Sequence, residues 1–569
     1  MTSFEIQSVA FDPAVLPSME SLHERFENWP VVYTIDNQRD VYVGESQHVA
    51  KRMRQHFDNP AKRGLRQVRV VIDERFNKSV CLDLESTLIR WFSGDEQFMV
   101  LNRNDGIVNA EYYRRDDYRQ TFEDVFEALR DAGLFTRSIP EIENSDLFKL
   151  SPFKALNTDQ AVAVEDILHG LREDLENGVK SLSVIQGDPG TGKTIVGIYL
   201  MKLLRDIAEY EPSEDLDPDS MFSEFFFEGS REVFEGLRIG LVVPQQSLRT
   251  SIAGVFSKTP ALQTTPVLNA FDVGRSEGEW DILIVDEAHR LNQYSAQAMG
   301  TQTAEYRRIT KDLFGREDPD INQLDWIRHK AKHTVLLLDT AQAVRPSDIE
   351  PEVFDRIISN AQKEKRLYPL ASQMRVAGGN DYIAYVREFL SDDPPPEIPD
   401  FGEYDFRIFD DFREMVHEIK QREREVGLSR LVAGYAWHWN SKKDKAAHDI
   451  EIDGLAVQWN QRQVDWINSP TSAKEVGSIH TVQGYDLNYA GVIIGEDLQR
   501  HPETGELFVN RRKYFDRRGK AKNGLRDRPT TDEDLLRYII NIYSVLMTRG
   551  IKGTYVYAPH LVGNRFGKR

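Results

Sequence analysis

SLSVIQGDPGTGKTIVGIYLMKLL, residues 181–204, is the stretch on which the fold turns. It opens as a short apolar strand, passes through Gly187-Asp188-Pro189-Gly190-Thr191-Gly192-Lys193-Thr194, and continues with the apolar spacing of a helix. Phosphate binding needs this order of strand, glycine-rich loop and helix. Glycines let backbone N–H groups curl around phosphate oxygens, a lysine reaches the β and γ groups, and a hydroxyl binds Mg²⁺. The N-terminus of the helix adds its partial positive charge. Gly187, Gly190, Gly192, Lys193 and Thr194 are therefore the expected nucleotide-binding residues, with ATP and Mg²⁺ as ligands.

Outward from this loop, apolar runs alternate with helical segments: GLRIGLVVP, WDILIVDE, HTVLLLD, and later GVIIGED and GTYVYAP. Continuous apolar strands followed by helices predict parallel sheets covered on both faces, an α/β fold class. The run DILIVDEAHR ends its strand with Asp286-Glu287. Adjacent carboxylates there suit two roles, Asp286 holding Mg²⁺ and Glu287 polarising the attacking water. We place a first ATPase lobe at 151–390, an acidic connector with DDPPPEIPD at 391–411, and a second lobe at 412–569.

The N-terminal part has a different texture. VVYTIDNQRDVYVGE (31–45) reads as a hairpin around a polar turn, followed by a helix with Val49, Met53 and Phe57 on one face. Arg52 and His56, four apart, share another side of that helix. A strand over 68–72 and a helix over 81–92 follow, the latter with Glu85 flanked by Leu82, Ile89 and Phe92. A carboxylate beside apolar surface costs free energy unless something binds it. Residues 1–118 are read as one small α/β domain, and 119–150 as a linker with one amphipathic helix (Phe122, Val125, Phe126, Leu129) and an acidic irregular tail.

Composition sets the outer bounds. The 569 residues carry 72 Lys+Arg against 92 Asp+Glu, a net charge of −20, and are 40% hydrophobic, as in a soluble globular protein. One cysteine, Cys81, excludes an intramolecular disulfide or a cysteine-rich zinc site and fits a reducing cytosol. The N-terminus lacks the charged and apolar regions of a signal peptide, and no stretch has a membrane-spanning length of apolar residues. The expectation is a cytoplasmic protein with no membrane partner. The charge is unevenly spread. Residues 206–235 hold 11 acids and one arginine, residues 51–75 hold eight Lys/Arg against three acids, and 511–528 hold nine against two, with Tyr514 and Phe515 interleaved. Such basic, aromatic tracts neutralise phosphates and stack bases.

In order along 151–569, the motifs resemble those of a superfamily 1 helicase of the Schlafen-related type. LNTDQ resembles the segment whose glutamine, here Gln160, reads adenine, and VVPQQSLRTS (242–251) resembles a strand-contacting motif. LLLDTAQ places Asp339 and Gln342 as γ-phosphate sensors, and SQMR places Arg375 as a phosphate contact. HTVQGYDL supplies Gln483 and Gly484, and YSVLMTRG makes Arg549 the expected arginine finger. The resemblance implies two RecA-like parallel-sheet lobes. Asp-Glu-Ala-His stands where Asp-Glu-x-Gln is more usual, which leaves His289 open between a sensing and a structural role.

Residues 29–115 resemble the GIY-YIG endonucleases. The carriers are Tyr33, Tyr42-x-Gly44, Arg52, His56, Glu85 and Asn102, with Asn104 competing for the last place and Val-Val-Tyr standing in place of Gly-Ile-Tyr. By that resemblance Tyr33 and Tyr42 frame the water-activating site, Arg52 clamps the phosphate, Glu85 binds one Mg²⁺ or Mn²⁺, and Asn102 orients the core. The two resemblances together imply an ATP-driven translocase or helicase coupled to a metal-dependent endonuclease, acting on DNA more than RNA, with anti-phage defence as the setting. Two other classes stay open: a nucleic-acid-sensing NTPase that gates the N-terminal domain without processive unwinding, and a binder with an inactive nuclease.

Overall fold

The computed structural model describes residues 4–102, 112–153, 156–211, 222–295, 300–339, 345–373, 376–462, 466–467, 469–482, 485–517, 519–520 and 529–562. Two compact units result, one of Met1–Gly178, Ile195–Leu237 and Ser251–Pro266, the other of Val179–Thr194, Arg238–Thr250 and Val267–Arg569.

The first unit is built on a five-stranded sheet in the order Phe4–Ala10, Gln67–Asp73, Val31–Asp36, Asp40–Ser46, Met99–Val100. All pairs are antiparallel except the last. The expected hairpin is present. Asn37 closes it by accepting from the backbone N–H groups of Arg39 and Asp40, the local bonding that makes asparagine a turn residue. Successive strand residues point to opposite faces. Val32, Val41 and Val71 join a core with Leu84, Leu88 and Phe92 of helix Lys78–Asp95. Tyr33, Val31 and Ile35 join another with Val49 and Met53 of helix Val49–Asp58.

The stretch 119–150, read from sequence as a linker, forms helices Arg119–Asp131, Ile139–Glu143 and Asp146–Lys149. Phe122, Val125, Phe126, Leu129 and Ile142 lie in the same core as Val32 and Leu88. Asp95, buried near the end of helix Lys78–Asp95, accepts from the N–H groups of Thr136 and Arg137 and ties the segment down. The acidic residues that suggested a linker are the solvent face of a packed element.

The second unit holds two parallel sheets. The first runs Leu367–Leu370, Ser181–Gly187, Ala331–Leu338, Trp280–Val285, Ile239–Val242, Val267–Leu268. The other runs Asp405–Ile408, Gly550–Tyr557, Leu487–Ile493, Ser429–Ala433, Val476–Ser478. Every ladder in both is parallel. Strand Asp405–Ile408 falls within the expected connector, and helix Gly379–Phe389, expected with the first lobe, buries Tyr382, Val386 and Phe389 against Val432, Val492 and Val556 of the second sheet. Among the described residues no helix is long and apolar enough to cross a membrane.

Candidate active sites

Three adjacent strands of the first parallel sheet, Ser181–Gly187, Ala331–Leu338 and Trp280–Val285, deliver their chemistry at their carboxyl ends, where open α/β sheets bind ligands. The phosphate loop follows the first. Its glycines are required: a Cβ on Gly187 would lie 2.4 Å from Thr191 Oγ1, and Gly190 and Gly192 sit at φ of +88° and +79°. Lys193, buried, donates to the carbonyl oxygens of Gly187 (2.6 Å) and Asp188 (2.9 Å) and lies 3.6 Å from the carboxylate of Asp339, at the end of the second strand.

Asp286 and Glu287 follow the third strand. The Thr194 hydroxyl donates to Asp286 Oδ2 at 2.9 Å, which brings together the two expected Mg²⁺ ligands. A hydroxyl and a buried carboxylate side by side form the hard-oxygen donor set that Mg²⁺ takes, so the residues fit that ion. Burial and the neighbouring Glu287 push the Asp286 carboxyl upward. Glu287 has a left-handed backbone (φ +49°), costly for a residue with a side chain. Burial opposes its ionisation, but His289, Lys193 and Arg549 outweigh that and hold its pKa well below the ordinary range. Glu287 is thus kept as the carboxylate a water-polarising role needs. His289 Nε2 lies 2.9 Å from Glu287 Oε2, yet neither ring nitrogen makes a hydrogen bond of good geometry. Arg549, which opens onto strand Gly550–Tyr557, is buried and donates to the carbonyl oxygen of Tyr485 at 3.4 Å.

The other expected nucleotide-binding residues are placed less fully. Gln160, in the first unit, is buried and closes a capping box with Asn157 at the start of helix Thr158–Asn177, where its side-chain oxygen accepts from the Asn157 N–H at 3.0 Å. Gln342, Arg375, Gln483 and Gly484 lie outside the described residues.

The second candidate site is on the N-terminal sheet. Tyr33 pairs with Gly44 and Ile35 with Tyr42 across the hairpin, and the Tyr33 and Tyr42 rings stand 6.4 Å apart. His56 reaches both from helix Val49–Asp58, with its Nε2 2.7 Å from the Tyr33 hydroxyl and its ring 4.8 Å from that of Tyr42. Burial raises the Tyr33 hydroxyl well above its usual range, and burial and Glu85 push Tyr42 up to about 12, while Arg52 opposes both shifts. His56 is driven down to about 2 by burial, Lys62 and Arg52, so it is a neutral imidazole. Tyr33, Tyr42, Arg52, His56 and Glu85 therefore share one electrostatic neighbourhood. Glu85, half-buried beside two raised tyrosines, fits the binding of one divalent cation through a carboxylate oxygen.

Asn102 supports the site from behind. Its amide accepts from the Val43 N–H (3.1 Å) and donates to the Val43 carbonyl (2.8 Å), clamping the strand between Tyr42 and Gly44. Asn104 is outside the described residues. Three groups were not anticipated: Lys62, Glu45 and Lys78. Lys62 Nζ lies 2.8 Å from His56 Nδ1 and 3.4 Å from the Tyr42 ring centroid. Glu45 pairs with Lys78 and leaves its Oε2 buried without a hydrogen bond. Only Glu45 carried a sequence signal, as the residue after Tyr42-Val43-Gly44.

Between the two parallel sheets lies a cleft of about 1540 Å³. One wall carries Pro244, Gln245, Gln246 and Ser247, the expected strand-contacting motif, with Arg249 and Phe271. The other carries Trp437, His438, Trp439, Lys442, Lys443 and Phe515. The Phe515 ring packs against that of His438, with centroids 3.9 Å apart and planes inclined by 45°. Tyr514, expected from sequence to stack bases, is fully buried instead, and Arg511 and Lys513 are engaged with Asp532 and Glu496. Of the described part of the 511–528 tract, Phe515, Asp516 and Arg517 face the cleft.

Comparison with known proteins bears on both domains. Residues 180–560 match the family model "Schlafen group 3, DNA/RNA helicase domain", and residues 30–97 match "GIY-YIG catalytic domain". The uncharacterized protein YPL245W of Saccharomyces cerevisiae is 26% identical over 455 residues, covering 74% of this chain and 91% of that protein. Among solved structures, arterivirus nonstructural protein 10 (helicase) is similar at 11% identity and a TM-score of 0.27, over 69% of this chain and 63% of that one. The match thus spans less than two thirds of the arterivirus protein's length. A Pif1 helicase from Bacteroides is similar at 8% identity and a TM-score of 0.24, over 69% of this chain and 91% of that one.

Proposed function

From the premise that this chain belongs to the Schlafen group 3 DNA/RNA helicase family and carries a GIY-YIG domain ahead of its helicase domain, we propose that it is an ATP-dependent nucleic-acid translocase or helicase coupled to a metal-dependent endonuclease, with DNA as the polymer. Defence against foreign DNA, phage included, is the setting we attach to that activity.

The observation that carries the motor half is the hydrogen bond of Thr194 to Asp286 beside an ionised Glu287. Thr194 and Asp286 would hold Mg²⁺, which when bound screens the charge of the transferring phosphates. Lys193 binds the phosphate oxygens, Glu287 orients and polarises the attacking water, and Arg549 answers the charge that develops between the phosphates from the second sheet's side. The aromatic wall of the cleft supports single-strand binding, since every base has a face on which Trp437 or Phe515 can stack.

In the nuclease half, Glu85 would hold the Mg²⁺ or Mn²⁺, a cation that when bound polarises the scissile phosphate. Arg52 neutralises the phosphate's charge, while Tyr33, Tyr42 and His56 position the water. Purified protein offered single-stranded, duplex and branched DNA and RNA, with and without ATP and Mg²⁺, tests both halves. Strand displacement with ATP and cutting with metal are expected on DNA. Failure to displace any strand, or cutting of RNA alone, contradicts the corresponding half.

A further inference from the structure

Taking the nuclease reading as its base, the geometry points to Lys62 as a positioning residue that fixes His56 in the tautomer with its hydrogen on Nε2, so that the imidazole donates to the Tyr33 hydroxyl oxygen and does not accept from it.

His56 is held at both ends. Lys62 Nζ lies 2.8 Å from Nδ1, and Tyr33 Oη lies 2.7 Å from Nε2. A lysine ammonium has three donors and no acceptor, so the nitrogen it faces must present a lone pair. A neutral imidazole with a bare Nδ1 carries its hydrogen on Nε2. Lys62 also stands 3.4 Å from the Tyr42 ring centroid, a placement over an aromatic face that favours the charged ammonium. Burial together with the positive charges of Lys62 and Arg52 opposes a second proton on His56.

The chain is built to bring Lys62 there. Helix Val49–Asp58 ends at Asn59, which is extended, and Pro60 starts a short turn over Pro60–Lys62. The Asn59 N–H bonds to the His56 carbonyl, and the Lys62 N–H to the Asn59 carbonyl, which folds Lys62 back over the last helical turn. Around the pair, Tyr33 faces Tyr42, Arg52 and Glu85, and His56 faces Lys62 and Arg52. In this arrangement His56 supports the tyrosine oxygen and does not receive its proton. The Tyr33 hydrogen is left to point away from His56.

The test uses the full-length chain labelled with ¹⁵N-histidine, with the His56 signals assigned by their loss in His56→Gln. Nδ1 resonating as a bare nitrogen and Nε2 as an N–H is expected, with the pattern kept in Lys62→Arg and mixed or reversed in Lys62→Met. An N–H at Nδ1 in the unsubstituted protein, or an unchanged pattern in Lys62→Met, overturns the assignment. Metal-dependent cleavage gives the second readout: at least a tenfold fall in turnover for Lys62→Met at unchanged KM, recovered in Lys62→Arg. Full turnover in Lys62→Met contradicts the positioning role. Cleavage that persists in Glu85→Ala would remove the nuclease reading instead, and the nitrogen pattern would still decide the tautomer.

Discussion

A Cβ placed on Gly44 would lie 2.3 Å from the hydroxyl oxygen of Tyr33, its partner across the hairpin. Real Cβ atoms do not come this close, so any side chain at 44 displaces the Tyr33 ring from His56. Gly44→Ala is expected to lower metal-dependent cleavage by about 100-fold, the scale of a 1 Å misplacement in an active site. The cost in folding stability should be about 1–3 kcal/mol, typical of overpacking. ATP turnover should be unchanged, measured on the same preparation.

His56 supplies a pH prediction. Its folded pKa, about 2, lies below the 6.5 of a free histidine. Below pH 6.5 the unfolded chain therefore binds a proton that the native domain refuses. The stability His56 contributes is complete above pH 6.5 and is lost as pH falls through the window toward 2, by at most about 1.4 kcal/mol per pH unit. Denaturant unfolding at pH 7 and pH 5 should show a smaller acid loss in His56→Gln than in the unsubstituted protein. Equal losses would mean that the buried imidazole does titrate. Asp36, raised to about 6 by burial, shifts both curves in the same way and cancels in the comparison.

At the motor site, Thr194→Val keeps the shape of the residue and removes the hydroxyl bonded to Asp286. ATPase activity should then demand about 10–100-fold more Mg²⁺, with nucleotide binding in the absence of metal retained. Arg549→Ala should lower turnover by about 10³–10⁵-fold, the range for an arginine finger, at unaltered Mg²⁺ dependence. Titration of ATPase rate against Mg²⁺ separates the two variants.

The cleft wall makes a prediction about salt. Trp437→Ala should weaken single-strand binding by about 1–3 kcal/mol, the worth of one stacked base, and leave the slope of log affinity against log salt alone. Replacing Lys442 and Lys443 by Ala should flatten that slope by about 0.7 for each phosphate charge that the lysines no longer neutralise. Fluorescence anisotropy with a labelled oligonucleotide at four or five salt concentrations reads both quantities.

Much of this was legible because the chemistry is local in the chain. The phosphate loop, Asp286-Glu287 and the tyrosine hairpin are contiguous, and their backbone requirements leave marks such as Gly190 and Gly192 at positive φ. Helix-face spacing placed Arg52 and His56 together, and both face the tyrosines. What was hidden depends on the packing of residues distant in the chain, or on turns. Lys62 reaches His56 only because the chain doubles back at Pro60, and a single lysine in a basic tract carries no sign of that. Tyr514 and Phe515 are neighbours of similar chemistry, yet one is core and the other lines the cleft. Trp437 and Trp439 belong to no pattern that spacing alone identifies. The 119–150 stretch misled because its acidic surface outnumbers the buried phenylalanines that decide its packing.

If the two proposed active sites work separately on one chain, paired variants will show it. Full-length Glu85→Ala and Lys193→Ala are assayed side by side for metal-dependent cutting and for nucleic-acid-stimulated ATP hydrolysis. Glu85→Ala should lose cutting and keep ATP turnover; Lys193→Ala should lose ATP turnover and keep metal-dependent cutting measured without ATP. Cutting at the unsubstituted rate in Glu85→Ala, or ATP turnover at the unsubstituted rate in Lys193→Ala, would rule out two separate sites at these residues.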